Sequence, residues 1–538
     1  MMNLKLHAAL SRQHVASASA ILAACVALPT ALAAEGKPPA QTEEAWWIVL
    51  APKEVLRRGI QLSDTPLTTR ALDRRALRSS QATLLSVADL PITQSRIDAL
   101  KGTGAELRTT SRWLNLASVQ VTSAELKSIA KLPFVRGMFP VRHSQRLSVI
   151  DFAQAEVGGV AGSGAMSDPQ LAQIGVDELH ARGFHGAGMV VGILDTGFER
   201  SHIGFASTEH PLDVIAEWDF VKNDGNTAMQ AGDDSSQHWH GSAILGTLAS
   251  YLPGVLLGSA YEAKFVLAKT EDISSETPIE EDYYVAGMEF IEAHGADIAT
   301  SSLGYIDWYT PEQLDGLTAI TTRAVNIATA NGLPCLTAAG NAGHDADPLT
   351  HSIIAPADAF DVITCGAADL AGVIAGFSSD GPTADGRVKP EILACGVAVA
   401  SVNSTNTTGY SGVSGTSLST PLVAGATALV LQARADYGVA QLRSALFATA
   451  SDFVSNGVTD PTFVRGYGVM SALDAAKRNR AAEDLNLDGA VTAQDLALML
   501  SSWGPCTDPD PASGLCVADL DGDGTVGATD LARLLSAW

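Results

Sequence analysis

An α/β fold, with a doubly wound and mostly parallel sheet carrying helices on both faces, is what the central region of this 538-residue chain predicts. Three stretches carry that expectation. The run 190–195 (VVGILD) is short, continuously apolar and rich in β-branched residues, as a strand covered on both faces should be. Asp195 ends it, at the C-terminal edge where open α/β sheets gather their sites. His240 leads through Gly241 and Ser242 into an apolar stretch, Ala243 to Leu248, that reads as the start of a helix. Ser417 follows Gly415 and Thr416 and enters a small, apolar run from Leu418 to Leu431, with Ala424, Gly425 and Ala426 inside it. That pattern is a loop feeding a tightly packed helix, with Pro421 tolerated in or near the first turn.

A fourth string, LTAAGN ending at Asn341, places an amide side chain after a small-residue run. Taken singly, each string has a bland reading. Asp195 could form a turn before Thr-Gly, Ser417 could be an N-cap, and Asn341 could be a turn residue. His238 and His202 rival His240. Together, in the order Asp, His, Asn, Ser, the strings supply what acyl transfer requires: an orienter, a base, an oxyanion donor and a nucleophile.

These strings resemble the signatures of the subtilisin-like serine proteases, over about residues 168–479. SSLG (301–304) resembles the family's substrate-edge strand, and GYGVMSALDAA resembles its closing helix. The resemblance implies a triad of Asp195, His240 and Ser417. Asn341 would be the oxyanion-hole side chain, with the Ser417 backbone N–H as second donor. Ser302, Leu303, Gly304, Ala339 and Gly340 would then line the substrate cleft. Aligning APADAFDVITCGA (355–367) puts Ile354 where many members carry a pocket-floor glycine, which should shorten the S1 pocket. Leu245 and Leu418 depart from the family pattern, but both are apolar changes that remove no catalytic group. The implied catalytic domain is 165–479. The implied activity is a secreted serine endopeptidase acting on proteins or peptides. The rivals are a non-catalytic adhesion or scaffold protein on a degenerate protease fold, and a peptide ligase or esterase with the same nucleophile.

Residues 1–34 read as a secretory leader, with Lys5 and Arg12 ahead of an apolar stretch and an ALAA cleavage site. LAAC, ending at Cys25, resembles a lipoprotein box, but another apolar run follows it, so cleavage near Ala33 or Ala34 is favoured over anchoring through Cys25. No later run is long and apolar enough to span a bilayer. Residues 35–150 hold none of the four strings. WWIVL (46–50) and LNLASVQVT (114–122) read as strands, and Ser123 onward reads as a capped helix ending near Lys131. This small α+β unit resembles the family's inhibitory propeptide, which implies a zymogen. Residues 35–150 carry 17 basic and 10 acidic groups, whereas residues 151–538 carry 15 and 49. A basic module on an acidic partner gains long-range attraction. So acidic a remainder argues against nucleic acid as a partner.

The tail repeats itself. The segment 484–503 (DLNLDGAVTAQDLALMLSSW) recurs, offset by 35 residues, as 519–538 (DLDGDGTVGATDLARLLSAW). Each copy spaces oxygens as D-x-[N/D]-x-D-G with a carboxylate at the twelfth place, a pattern that suits calcium. The side-chain ligands would be Asp484, Asn486, Asp488 and Asp495, then Asp519, Asp521, Asp523 and Asp530. Backbone carbonyls of Ala490 and Thr525 would complete two sites, one ion each. Leu496, Leu500, Leu531 and Leu535 should find packing partners once both loops close. The twelfth-place Asp and the missing leading helix depart from EF-hands, and the 481–538 unit resembles the loop-helix pairs of dockerins. That likeness implies a cohesin-like scaffold as partner, against the alternative of a calcium-stapled cap. Cys506 and Cys516 are expected to pair, while Cys335, Cys365 and Cys395 read as buried free thiols.

Overall fold

The computed structural model describes residues 44–54, 58–141, 165–273, 280–305, 309–506 and 516–538. The expected leader, residues 1–34, and Cys25 lie outside the described residues.

The first unit comprises β1 (Glu44–Leu50), α1 (Thr69–Arg78), α2 (Gln94–Lys101), β2 (Glu106–Ser111), β3 (Leu116–Val121), α3 (Ser123–Ile129) and β4 (Val135–Pro140). Its strands form one antiparallel sheet in the order β2-β3-β1-β4. The two-residue period of β1 sorts its side chains. Ile48 and Leu50 face a private core with Leu100, Val119, Val121 and Ile129, while Ala45 and Trp47 face the other way, into the main body. The expected helix is present, and Thr122 rather than Ser123 caps it. Glu125 N–H donates to Thr122 Oγ1 at 3.3 Å, and Thr122 N–H donates back to the Glu125 carboxylate at 2.7 Å, a T-x-x-E box. Sequence reading missed α1, β2 and β4. The strand ELRTTS is mostly polar, and α1 (TRALDRRALR) has two apolar residues other than alanine, so neither shows a clear apolar stripe.

The main body adds α4 (Asp168–Ala172), α5 (Val176–Ala181), β5 (Val190–Asp195), β6 (Asp213–Asp219), α6 (Trp239–Ala249), a β7–β8 hairpin (Tyr251–Leu252, Leu256–Leu257), β9 (Lys264–Lys269), α7 (Glu280–Ala293), β10 (Ile298–Ser301) and α8 (Ile320–Ala330). It continues with β11 (Cys335–Ala338), β12 (Ile363–Ala368), β13 (Ile392–Cys395), the β14–β15 pair (Val399–Asn403, Gly409–Val413), α9 (Thr416–Ala433), α10 (Val439–Ala448), α11 (Ser451–Asn456) and α12 (Ala472–Lys477). Seven strands form a wholly parallel sheet ordered β13-β12-β11-β10-β5-β9-β6. Both faces are covered, as expected. Val191 and Ile193 of β5 pack with α6 and α9, and Val190 and Leu194 pack with α7 and α8. Gly192 permits the close approach of α7, since a Cβ there would lie 2.1 Å from Ile291. After β9 the chain jumps across β5 to begin β10, so the direction of winding reverses between those two strands. Their C-terminal ends therefore flank the crevice where such sheets place ligands.

The sequence reading found no run long and apolar enough to span a bilayer, and α9 corrects it: among the described residues it is the one helix that passes on length and composition, though 89% of that stretch is buried inside the protein as a core helix is. Cys335, Cys365 and Cys395 are buried and unpaired, and burial pushes the thiols of Cys335 and Cys365 above their ordinary range. The tail holds α13 (Ala493–Ser501), β16 (Gly504–Pro505), β17 (Thr525–Val526) and α14 (Ala528–Ala537), and Cys506 and Cys516 are bridged. Its core is Leu485, Met499, Ala518, Val526 and Leu534, flanked by Leu496 and Leu531. Leu500 and Leu535 are a correction to the sequence reading. They are 53% and 52% exposed, because each lies on the outer side of its helix, away from the Met499 or Leu534 that enters the core.

Candidate active site

Asp195 is the last residue of β5 and is fully buried. Its Oδ1 accepts from Thr196 N–H at 2.7 Å, from Thr196 Oγ1 at 3.1 Å and from His240 Nδ1 at 2.8 Å. A carboxylate can only accept, so His240 must carry its proton on Nδ1, which leaves Nε2 as the basic nitrogen. His240 is the second residue of α6, inside the helix rather than ahead of it. The helix can sit this close to the strand end only because Gly241 follows, where a Cβ would lie 2.2 Å from Gly197 O and 3.0 Å from Asp195 Oδ1. The rival His202 is structural: its Nδ1 accepts from Gly204 N–H and its Nε2 faces Gly409 O at 2.8 Å. His238 is buried beside Asp233, on the far side of Gly197.

Ser417 is the second residue of α9. Gly415 precedes the helix with φ 152°, a conformation side chains disfavour. Thr416, between them, grips Asn341: its N–H and its hydroxyl both lie 2.9 Å from Asn341 Oδ1. The amide oxygen is thereby held, and Nδ2 is the donor end of the side chain. Pro421 lies inside α9 and has no N–H for the Ser417 carbonyl four residues back. Ser302 Oγ supplies that hydrogen bond at 2.7 Å, while Ser417 Oγ lies 3.4 Å from Ser302 O.

Two backbone stretches run from the sheet's C-terminal edge beside Ser417. Ser302, Leu303 and Gly304 continue from β10, but outside the ladder, until Tyr305 bridges to Ala355. Ala339 and Gly340 continue from β11. Ile354 lies between the two stretches, almost fully buried, its N–H bonded to Ala339 O at 3.2 Å. A Cβ on Gly304 would sit 1.8 Å from Ile354 Cδ1, and one on Gly340 would sit 3.2 Å from its Cγ2. The isoleucine side chain thus fills the space that the two glycines open. Leu303 turns its side chain into the core behind them.

In the tail, the side-chain oxygens of Asp519, Asp521 and Asp523 lie within 4.8 Å of one another, the convergence of hard donors that suits calcium. Cys506 and Cys516 lie beside Asp519 but are spent in their disulfide. In the first loop Asp484 receives N–H bonds from Asp488 and Gly489 at 3.0 and 2.8 Å, and also a guanidinium bond from Arg480 at 3.0 Å. Asp495 and Asp530 close their loops by accepting backbone N–H groups from Leu485 and Leu520, and Asn486 and Asp488 are joined at 2.9 Å. Ala490 and Thr525 sit at the seventh places with their N–H groups on Asp488 and Asp523.

Thr416, Thr196 and the hydroxyl of Ser302 went unremarked as site residues in the sequence. Each acts through hydrogen bonds to a single neighbouring group, and a lone threonine or serine beside a motif carries no periodic signal.

Comparison with known proteins bears on the fold and the modules. The family described as Subtilase family matches residues 186–469, the Peptidase S8 propeptide domain, Bacteroidota, matches 45–154, and the Dockerin type I domain matches 482–536. Subtilisin E of Bacillus subtilis is 27% identical over 71% of this chain and 85% of its own length. Subtilisin DY of Bacillus licheniformis is 31% identical over 56% of this chain and 96% of its own length. The crystal structure of fervidolysin from Fervidobacterium pennivorans superposes with a TM-score of 0.52 at 20% identity, over 82% of this chain, and the chain spans 62% of that protein's length. The chain belongs to the subtilase family of serine peptidases, with an S8 propeptide module ahead of its catalytic domain and a type I dockerin module behind it.

Proposed function

We propose that the protein is a secreted serine endopeptidase made as a zymogen, with residues 35–150 as its inhibitory propeptide, 165–479 as its catalytic domain and 481–538 as a calcium-dependent docking tail. Ser417 Oγ attacks the scissile carbonyl carbon and passes its proton to His240 Nε2. Asp195 holds the ring and stabilises the imidazolium, and His240 then protonates the departing amine. Asn341 Nδ2 and the Ser417 N–H donate to the oxyanion, at the positive end of α9. Water repeats the sequence on the acyl-enzyme. The observation that carries this reading is the 2.8 Å bond from His240 Nδ1 to a fully buried carboxylate, which selects the one tautomer able to act as base. Ser417→Ala should abolish peptide hydrolysis and leave the precursor unprocessed. Full maturation of the purified Ser417→Ala protein, free of other proteases, would overturn the assignment.

Ile354 makes the S1 pocket short, so small or medium aliphatic P1 residues should be preferred. In the tail, Asp484, Asn486, Asp488, Asp495 and the Ala490 carbonyl would hold one calcium ion. Asp519, Asp521, Asp523, Asp530 and the Thr525 carbonyl would hold another. Calcium would neutralise the loops and lock them. Docking to a cohesin-like scaffold is favoured over a passive cap by the exposed pairs Leu500/Leu535 and Trp503/Trp538, 49–57% exposed. Members of each pair are 35 residues apart, so each repeat offers the same apolar contact. Pull-down with the calcium-loaded chain from its producing cells tests this, and Leu500→Asp with Leu535→Asp should abolish capture.

A further inference from the structure

Helix α1 and its flanks, residues 58–89, are not used by the propeptide's own core. That core draws on β1, β3, α2 and α3, whereas Leu67 and Ala71 pack with Ala293 at the end of α7. The polar contacts point the same way. Thr68 N–H donates to Ala293 O at 2.9 Å, Arg70 reaches Gly295 O at 3.0 Å and Gly188 O at 2.9 Å, and Arg74 reaches Ala296 O at 3.0 Å. Arg75 Nε lies 2.8 Å from Glu292 Oε1, and Arg74 shares that oxygen. Arg78 lies 2.6 Å from Asp297 Oδ1, with Arg70 on the other oxygen. Ser79 Oγ closes the set on Ala330 O at 2.9 Å. Arg74, Arg75, Arg78 and Glu292 are almost completely buried. The fit extends to backbone: a Cβ on Gly295 would lie 2.8 Å from Ala71 N, and one on Gly332 would lie 2.6 Å from Arg78 C.

The place of these contacts matters as much as their number. Gly188 precedes β5, Asp297 precedes β10, and Ala330 ends the helix that leads to β11. All lie at the N-terminal edge of the parallel sheet. Asp195 and Ser302 lie at the C-terminal edge, five residue steps or about 16 Å along the strands. The grip on α1 is therefore separate from the cleft.

We propose that α1 is a second anchor, which keeps a severed propeptide bound to the catalytic domain whether or not the cleft is occupied. This rests on reading residues 35–150 as a propeptide. Inhibition and association then become separable: clearing the cleft does not release the propeptide. Release requires α1 to be cut or withdrawn as well as the β2–β3 face, which sets Arg108 and Arg112 on Asp282 and Glu289 of α7, because buried ion pairs govern dissociation where exposed ones do not.

The test uses the full chain carrying Ser417→Ala, with the recognition sequence of a site-specific protease inserted directly after Val141. Cutting leaves an N-terminal fragment that carries none of the chain's own residues beyond Val141. Gel filtration and native mass spectrometry should find it bound to the rest of the chain. Arg74→Gln with Arg78→Gln should weaken association about a hundredfold or more, as taking one buried guanidinium partner from each of Glu292 and Asp297 does. Asp297→Asn, made on the other side of the interface against Arg70 and Arg78 of α1, should act in the same direction and decides the matter if the double variant fails to fold. Free elution of the fragment with its arginines intact would overturn the proposal, and so would undiminished binding of the substituted forms. Because the added protease makes the cut, neither result depends on the chain's own activity. Self-processing of the Ser417 form, read on a gel, tests that activity separately.

Discussion

Ser302 donates its hydroxyl to the carbonyl of Ser417 at 2.7 Å, replacing the helical hydrogen bond that Pro421 cannot make. A residue of the stretch after β10 thereby holds the first turn of the helix that carries Ser417, the proposed nucleophile. Ser302→Ala should leave that carbonyl unsatisfied and cost about 1–3 kcal/mol of stability, with a loss of kcat as the turn loosens. Pro421→Ala restores the missing N–H, so Ser302→Ala should cost less in that background. Urea unfolding of the four proteins measures the coupling, and strict additivity would mean that the hydroxyl does not cap the turn.

Thr416 determines which end of the Asn341 amide faces outward. Asn341→Ala should lower kcat by about 10²–10³ with little change in KM. Thr416→Val removes one of the two bonds to Asn341 Oδ1 and should fall between that variant and wild type. Steady-state kinetics on a peptide substrate decides it, and a KM effect without a kcat effect would contradict the oxyanion role.

Ile354 packs across Gly304 and Gly340. Ile354→Gly should reopen the pocket and shift P1 preference toward Phe and Tyr by about 1–3 kcal/mol in kcat/KM. It should also lower stability, since the removed side chain is buried. A wild-type cleavage profile already dominated by large aromatics would contradict the assignment.

Glu292 carries a pH dependence. Burial alone would raise its carboxyl, but Arg74, Arg75 and Arg112 more than reverse that and hold it below the usual carboxylate range. The neighbouring Glu289 is itself engaged by Arg112 and Ser111, and the arginines stay charged throughout. A depressed carboxyl contributes fully above its ordinary value of about 4.3 and loses that contribution as pH falls through the lower, bound value. Propeptide dissociation should therefore be flat from about pH 5 to 8 and accelerate only below about pH 4. Acceleration near pH 6 would point to histidine instead.

Arg480 pairs with Asp484 in the first calcium loop, where Asn486 also replaces a carboxylate. The second loop has four aspartates and, among the described residues, no arginine or lysine paired with them. Calorimetric titration of the chelator-treated full chain should therefore resolve two affinities, and Arg480→Gln should tighten only the weaker. A single unchanged class of sites would show that Arg480 does not compete.

How much of this was legible in the sequence follows from where each signal lies. Strand β5 and helices α6 and α9 are apolar runs ending at a functional side chain, so periodicity and motif coincide there. Ile354 could be placed only through resemblance, and the structure adds the two glycines it covers. The tail's ligand spacing is local and was readable, but which leucines are buried depends on how α13 meets α14, so Leu500 and Leu535 were misplaced. The role of α1 was hidden for the same reason. Its arginines entered the sequence reading only as charges, and their partners lie more than two hundred residues away on α7 and before β10. Charge counting registered only a basic excess.

The nucleophile is the central claim, and covalent labelling tests it most directly. Processed protein treated with a fluorophosphonate, then digested and mapped by mass spectrometry, should carry one adduct, on Ser417. His240→Ala should suppress the labelling, because Ser417 would lose its base. An adduct on a different serine, or labelling that survives His240→Ala undiminished, would contradict the account.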